Sequence, residues 1–90
     1  MNIALPEWME LVKPPQYADD ESAMRYVLTL AQRNIEERTG GPFAAALVSE
    51  DHRVIASGVN LVTSLNCAVF HAEIVTIMMA SERLGTWALA

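Results

Sequence analysis

The run Phe43-Ala44-Ala45-Ala46-Leu47-Val48 is apolar at every position, so neither face of a strand built from it can meet water. Such a strand needs a cover on each side, which restricts the chain to layered α/β arrangements. The polar turn Glu50-Asp51-His52-Arg53 follows, and Val54 to Val59 resumes the apolar pattern, so residues 43–49 and 54–59 read as a hairpin.

Helical spacing flanks the hairpin. Asp19 or Asp20 can cap a helix from about Glu21, with Ala23, Val27, Leu30, Ala31 and Ile35 on its apolar face and Gly40 as its stop. Glu36, Glu37 and Arg38 belong to its wet face. From His71 to Leu84 the pattern is helical again, with Ile74, Ile77, Met78 and Ser81 near one face and Gly85 at the end. Residues 60–70 show neither period and read as a loop. The expected order is helix, strand, strand, helix, and at Thr86-Trp87-Ala88-Leu89-Ala90 an α/β pattern would enter its next strand.

Two units follow from this: residues 1–19 as an extension, and residues 20–90 as part of an α/β domain. Pro6, Pro14 and Pro15, with Trp8 and Tyr17, suggest an arm laid over a surface rather than a regular element. Trp8 and Met9 serve either as a local apolar contact or as an anchor on a neighbouring subunit.

Ninety residues make one small domain or part of one. At 52% apolar and 19% charged, the chain is rich in core residues for its length, and its segments are expected to pack against further elements. A formal charge of -5 disfavours contact with phosphate backbones and suits a small neutral substrate. A single cysteine, Cys67, excludes an internal disulfide and points to a reduced, cytoplasmic setting. No apolar stretch reaches the roughly 18 residues of a membrane span.

His71-Ala72-Glu73 falls where the loop becomes the second long helix. Free N–H groups and the helix dipole favour negative charge there. A neutral imidazole can bind Zn²⁺ through one nitrogen, and a carboxylate two residues on is free to move protons. By itself the triplet is also ordinary helix-start chemistry. A histidine, a spacer and a glutamate, followed further on by Pro-Cys-x-x-Cys, are the signature of zinc deaminases.

The surroundings of that triplet extend the match: Gly40-Gly41-Pro42-Phe43-Ala44-Ala45, then Gly58-Val59-Asn60, then Asn66 ahead of His71-Ala72-Glu73-Ile74. Over about residues 22 to 89 the chain resembles the zinc-dependent nucleoside and nucleobase deaminases, the cytidine and deoxycytidylate deaminase-like superfamily, and above all their guanine deaminase branch. The resemblance implies the amino-terminal half of a three-layer α/β/α domain. It implies His71 as first zinc ligand and Glu73 as the proton shuttle, in a reaction where zinc lowers the pKa of bound water to about 7. It implies Asn60 as the amide that hydrogen-bonds the substrate ring, and Phe43 and the Ala72 N–H as pocket-lining groups.

Read without the resemblance, Asn60 is equally a turn residue of left-handed geometry, and Phe43 a core side chain. The chain also departs from the pattern. No Pro-Cys-x-x-Cys is present, so the implied zinc site is incomplete in this chain, and Cys67 reads as an inert thiol rather than a ligand. Phe70 stands where a small residue is usual, and Ala68-Val69 where Pro-Thr is usual. Phe70 either narrows the base pocket or packs under the loop.

The function implied for the complete protein is hydrolytic deamination of a nucleobase, guanine first, with this chain alone inactive. The alternatives are adenosine in tRNA, cytosine or cytidine as substrate, and a noncatalytic truncated fragment or association module. The expected partners are a small nucleobase and a second copy of the chain in a dimer, with neither nucleic acid nor membrane.

Overall fold

The computed structural model describes residues 5–15 and 19–86. Tyr17 and residues 87–90, where the sequence suggests a further strand, lie outside the described residues.

The elements come in the expected order. A 3-10 turn, η1 (Glu7–Leu11), precedes α1 (Asp20–Glu36), β1 (Ala44–Val48), β2 (Val54–Val59), α2 (Val62–Leu65) and α3 (Ala72–Leu84). Asp19 caps α1 with a closed capping box: its carboxylate accepts the Ser22 N–H at 2.7 Å, and the Ser22 hydroxyl accepts the Asp19 N–H at 3.0 Å. Acidic residues in the first turn and Arg33 in the last match the helix dipole.

β1 and β2 pair antiparallel, Ala44 opposite Val59 and Leu47 opposite Ala56, with an irregularity at Leu47/Val48 that shifts Val48 to Val54. Helices cover both faces, as the all-apolar β1 requires. The Tyr26 hydroxyl meets Ser57 Oγ at 2.8 Å, which puts α1 on one face. The next residue points the opposite way and faces α3. There a Cβ added at Gly58 would lie 2.8 Å from the backbone nitrogen of Thr76, so only glycine lets α3 lie this close to β2. Leu30, Val59, Leu61 and Val75 are fully buried, and Trp8, Met9 and Tyr26 close the same core.

Several expectations are corrected. The buried stripe of α1 is Tyr26, Leu30 and Asn34, while Ile35 is exposed. The helix follows a one-residue i, i+4, i+8 row that carries a polar side chain, which a search for apolar spacing passes over. α1 ends before Gly40, at Glu36, and the chain turns away at Arg38, whose φ is 57°. α3 buries Ala72, Val75, Thr76 and Ala80, leaving Ile74 and Ile77 exposed, because the close approach at Gly58 selects small residues. Residues 60–70 contain the one-turn helix α2, too short to show a period, ended by left-handed Asn66 at φ 51°. The arm contains a regular element after all. η1 packs Trp8 and Met9 onto the chain's own core, so the local contact holds.

Candidate functional site

The open end of the hairpin and the head of α3 are stitched together by backbone hydrogen bonds. The Asn60 N–H donates to the Phe43 carbonyl at 3.0 Å, and the Leu61 N–H to the Phe70 carbonyl at 2.9 Å. Phe43, Asn60 and His71 therefore belong to one rim. From a Cβ placed on Gly41, the Phe43 ring lies at 3.4 Å and the Asn60 side-chain carbon at 3.9 Å, so both side chains border that glycine.

His71 is the N-cap of α3, in extended backbone geometry, and its side chain makes no capping bond. Its Nδ1 lies 3.7 Å from Glu73 Oε1, with 61% and 66% of the two side chains exposed. The imidazole and the carboxylate thus turn toward each other in water. Between them Ala72 is buried and starts the helix, so its N–H lies outside the ladder of intrahelical bonds. Its carbonyl accepts from the Thr76 hydroxyl at 2.7 Å.

Asn60 is half-buried and is not among the non-glycine residues with positive φ, which among the described residues are Arg38, His52 and Asn66. A left-handed turn is therefore not what Asn60 is for. Its Oδ1 accepts the Val62 N–H at 3.2 Å, which fixes the amide with its nitrogen as the group left to donate. Phe43 is 61% exposed, so core packing does not explain it. Phe70, in contrast, packs against the core, as does Met79. His52 sits exposed in the hairpin turn at φ 64°.

Sequence reasoning missed Asn34. It is completely buried in the last turn of α1, and its amide nitrogen donates to the carbonyls of Gly41 and Asn60, both at 2.9 Å. The available signal was a polar residue four positions beyond Leu30, on the stripe begun by Tyr26.

Among the described residues, no third His, Cys, Asp or Glu joins a group able to hold a metal ion. Zinc takes about four ligands, so the exposed imidazole of His71 is suited to be one of them and does not make a closed centre with Glu73. Cys67 is a free, half-buried thiol.

Residues 17–90 match the cytidine and deoxycytidylate deaminase zinc-binding region. The chain belongs to this deaminase family. It is 38% identical over 69 residues to guanine deaminase of Bacillus subtilis, an overlap of 77% of this chain and 44% of the relative. It is 36% identical over 86 residues to the chloroplastic tRNA(adenine(34)) deaminase of Arabidopsis thaliana, covering 93% of this chain and 6% of that protein. A solved structure of guanine deaminase from Nitrosomonas europaea superposes with a TM-score of 0.84 at 36% identity, covering 96% of this chain and 48% of that one. The chain therefore spans less than half the length of these relatives. Its fold is the amino-terminal part of the deaminase α/β domain, and its family is one of aminohydrolases.

Proposed function

We propose that the complete protein hydrolyses the amino group from a nucleobase, with guanine as the first substrate. Water adds at the ring carbon that bears the amino group, the carbon–nitrogen bond breaks, and ammonia leaves as oxygen takes its place. Glu73 carries the protons: it takes one from the attacking water and gives it to the ring nitrogen, then takes the second from the added hydroxyl and gives it to the departing amine as the carbonyl forms. The Asn60 amide nitrogen donates to the ring, the Phe43 face gives the base a flat apolar wall, and the Ala72 N–H polarises an acceptor on the base. His71 is the residue that would hold zinc, which when bound would supply an activated water near neutral pH.

The observation that carries this reading is the 3.7 Å approach of Glu73 to His71 at the head of α3, on the rim shared with Asn60 and Phe43. The experiment is ammonia release by the full-length protein from guanine, adenine, cytosine and their nucleosides. Guanine is expected to lead the panel. Release from adenosine in tRNA alone would favour the second reading, tRNA editing, which rests on the 36% identity to the chloroplastic deaminase. The -5 charge of this chain argues against that reading, since tRNA demands a basic surface. Ammonia from none of the substrates would favour a noncatalytic association module. A homodimer is the proposed assembly.

A further inference from the structure

Asn34 carries an obligation that the core alone does not explain. A buried amide costs free energy unless its donors and acceptor are paired. Both of its donor bonds go to backbone: one to Gly41, just before β1, and one to Asn60, just after β2, each at 2.9 Å. One side chain thus ties together the two ends of the hairpin that present Phe43 and Asn60. Its Oδ1 accepts from the Thr39 hydroxyl, and Thr39 Oγ1 in turn accepts the Trp8 indole N–H at 2.9 Å. Arg33 lies over the Trp8 ring, 5.6 Å from its centre. The Ser64 hydroxyl, on α2, donates to the Thr39 carbonyl.

The approach leaves no slack at Gly40. A Cβ there would lie 1.9 Å from the Asn60 carbonyl oxygen and 2.7 Å from Asn34 Nδ2, so glycine is required by proximity. η1, α1 and α2 each send one side chain to this point, Trp8, Asn34 and Ser64, and the flanks of the hairpin meet them with the Gly41 and Asn60 carbonyls.

We propose that Asn34, held from behind by Thr39 and Trp8, is the positioning residue that sets where Asn60 stands on the rim, which links the amino-terminal arm to nucleobase recognition. It touches no substrate. Its action on base binding rests on the reading of Asn60 given above, while its action on the Asn60 backbone does not.

Amide hydrogen exchange in the full chain separates the two. The Val62 N–H reports the bond to Asn60 Oδ1, the Asn60 N–H reports its bond to Phe43, and the Ser49 N–H, bonded to Arg53 in the hairpin turn, is the distant control. Asn34→Asp keeps the shape of the side chain but sets an oxygen against two carbonyls. Trp8→Phe and Thr39→Val are gentler and keep the protein measurable should Asn34→Asp unfold it. In all three, exchange at Val62 and Asn60 should quicken, by about tenfold in Asn34→Asp, with Ser49 unchanged. Unaltered exchange at Val62 and Asn60 would overturn the proposal. So would acceleration spread equally to Ser49, which would mark a merely global contribution.

Guanine binding is measured on the same variants beside Asn60→Ala. Weaker binding by Asn60→Ala together with the Trp8 and Asn34 variants supports the link to recognition. Weaker binding by Asn60→Ala alone overturns that link, and binding indifferent to Asn60→Ala overturns the role of Asn60 while the exchange data still decide its placement.

Discussion

The two long helices begin in opposite ways. α1 starts with a closed capping box, in which Asp19 and Ser22 satisfy each other's backbone donors. α3 starts with His71, whose imidazole makes no capping bond and projects into solvent 3.7 Å from the carboxylate of Glu73. A serine or aspartate at position 71 would serve the helix better. The start that is tied off contributes to folding, and the start that is left open, on the rim with Asn60, is where a ligand can meet the chain.

Substitutions at the two starts should therefore separate activity from stability. The largest effect is expected from Glu73→Gln in the full-length protein. Ammonia release should fall by about 10²- to 10⁴-fold, the usual worth of a placed proton carrier, with melting unchanged because the side chain is exposed. Comparable activity in the variant would make the carboxylate a bystander. Next comes His71→Ser, expected to raise the stability of the metal-free protein by about 0.5–1 kcal/mol through the new cap while lowering deamination, by less than Glu73→Gln does, through the loss of one zinc ligand. Lower stability together with full activity would invert the comparison.

Zinc content is the third test. Purified alone, the ninety-residue chain should hold zinc weakly and below one equivalent, since His71 is one ligand where about four are needed. Stoichiometric, tightly held zinc would mean that these residues close a site unaided.

The smallest effect belongs to Asp19. The backbone N–H of Ser22, and then its hydroxyl, hold the Asp19 carboxyl below its ordinary value. Because the folded state binds the proton less readily than the unfolded one, this contribution is present above the usual carboxylate range. It is lost as pH falls through the depressed value. Asp19→Ala should melt slightly lower than the parent at neutral pH, and the gap should close in acid, with ammonia release per folded molecule unaltered near neutrality. A gap independent of pH would remove the carboxylate from the account.

Much of this contrast was legible in the amino acids. The all-apolar β1 announced helices on both sides, and the cap at Asp19, the hairpin turn and the stop at Gly85 follow from local chemistry that acts within a few residues. His71, Ala72 and Glu73 stand out through the segments around them, Gly40 to Ala45 and Gly58 to Asn60, since the triplet alone is ordinary helix-start chemistry. What stayed hidden depends on partners far along the chain. Asn34 pairs with a carbonyl twenty-six residues away, and its place on the stripe of Tyr26 and Leu30 marks it as buried without naming that partner. The inward face of α3 is set by Gly58 on another element, so helical periodicity alone chose Ile74 and Ile77, the wrong side. Phe43, apolar and next to a strand, looked like core, and its exposure is decided by where the hairpin ends.

The most direct test is a guanine titration of the full-length protein followed by ¹H–¹⁵N spectra. The His71 imidazole, the Ala72 N–H and the Asn60 side-chain amide should shift together as guanine binds, while Asp19 and Ser22 at the other helix start stay still. Shifts confined to the α1 start, or a bound base that leaves His71 and Asn60 unmoved, would contradict this reading of the site.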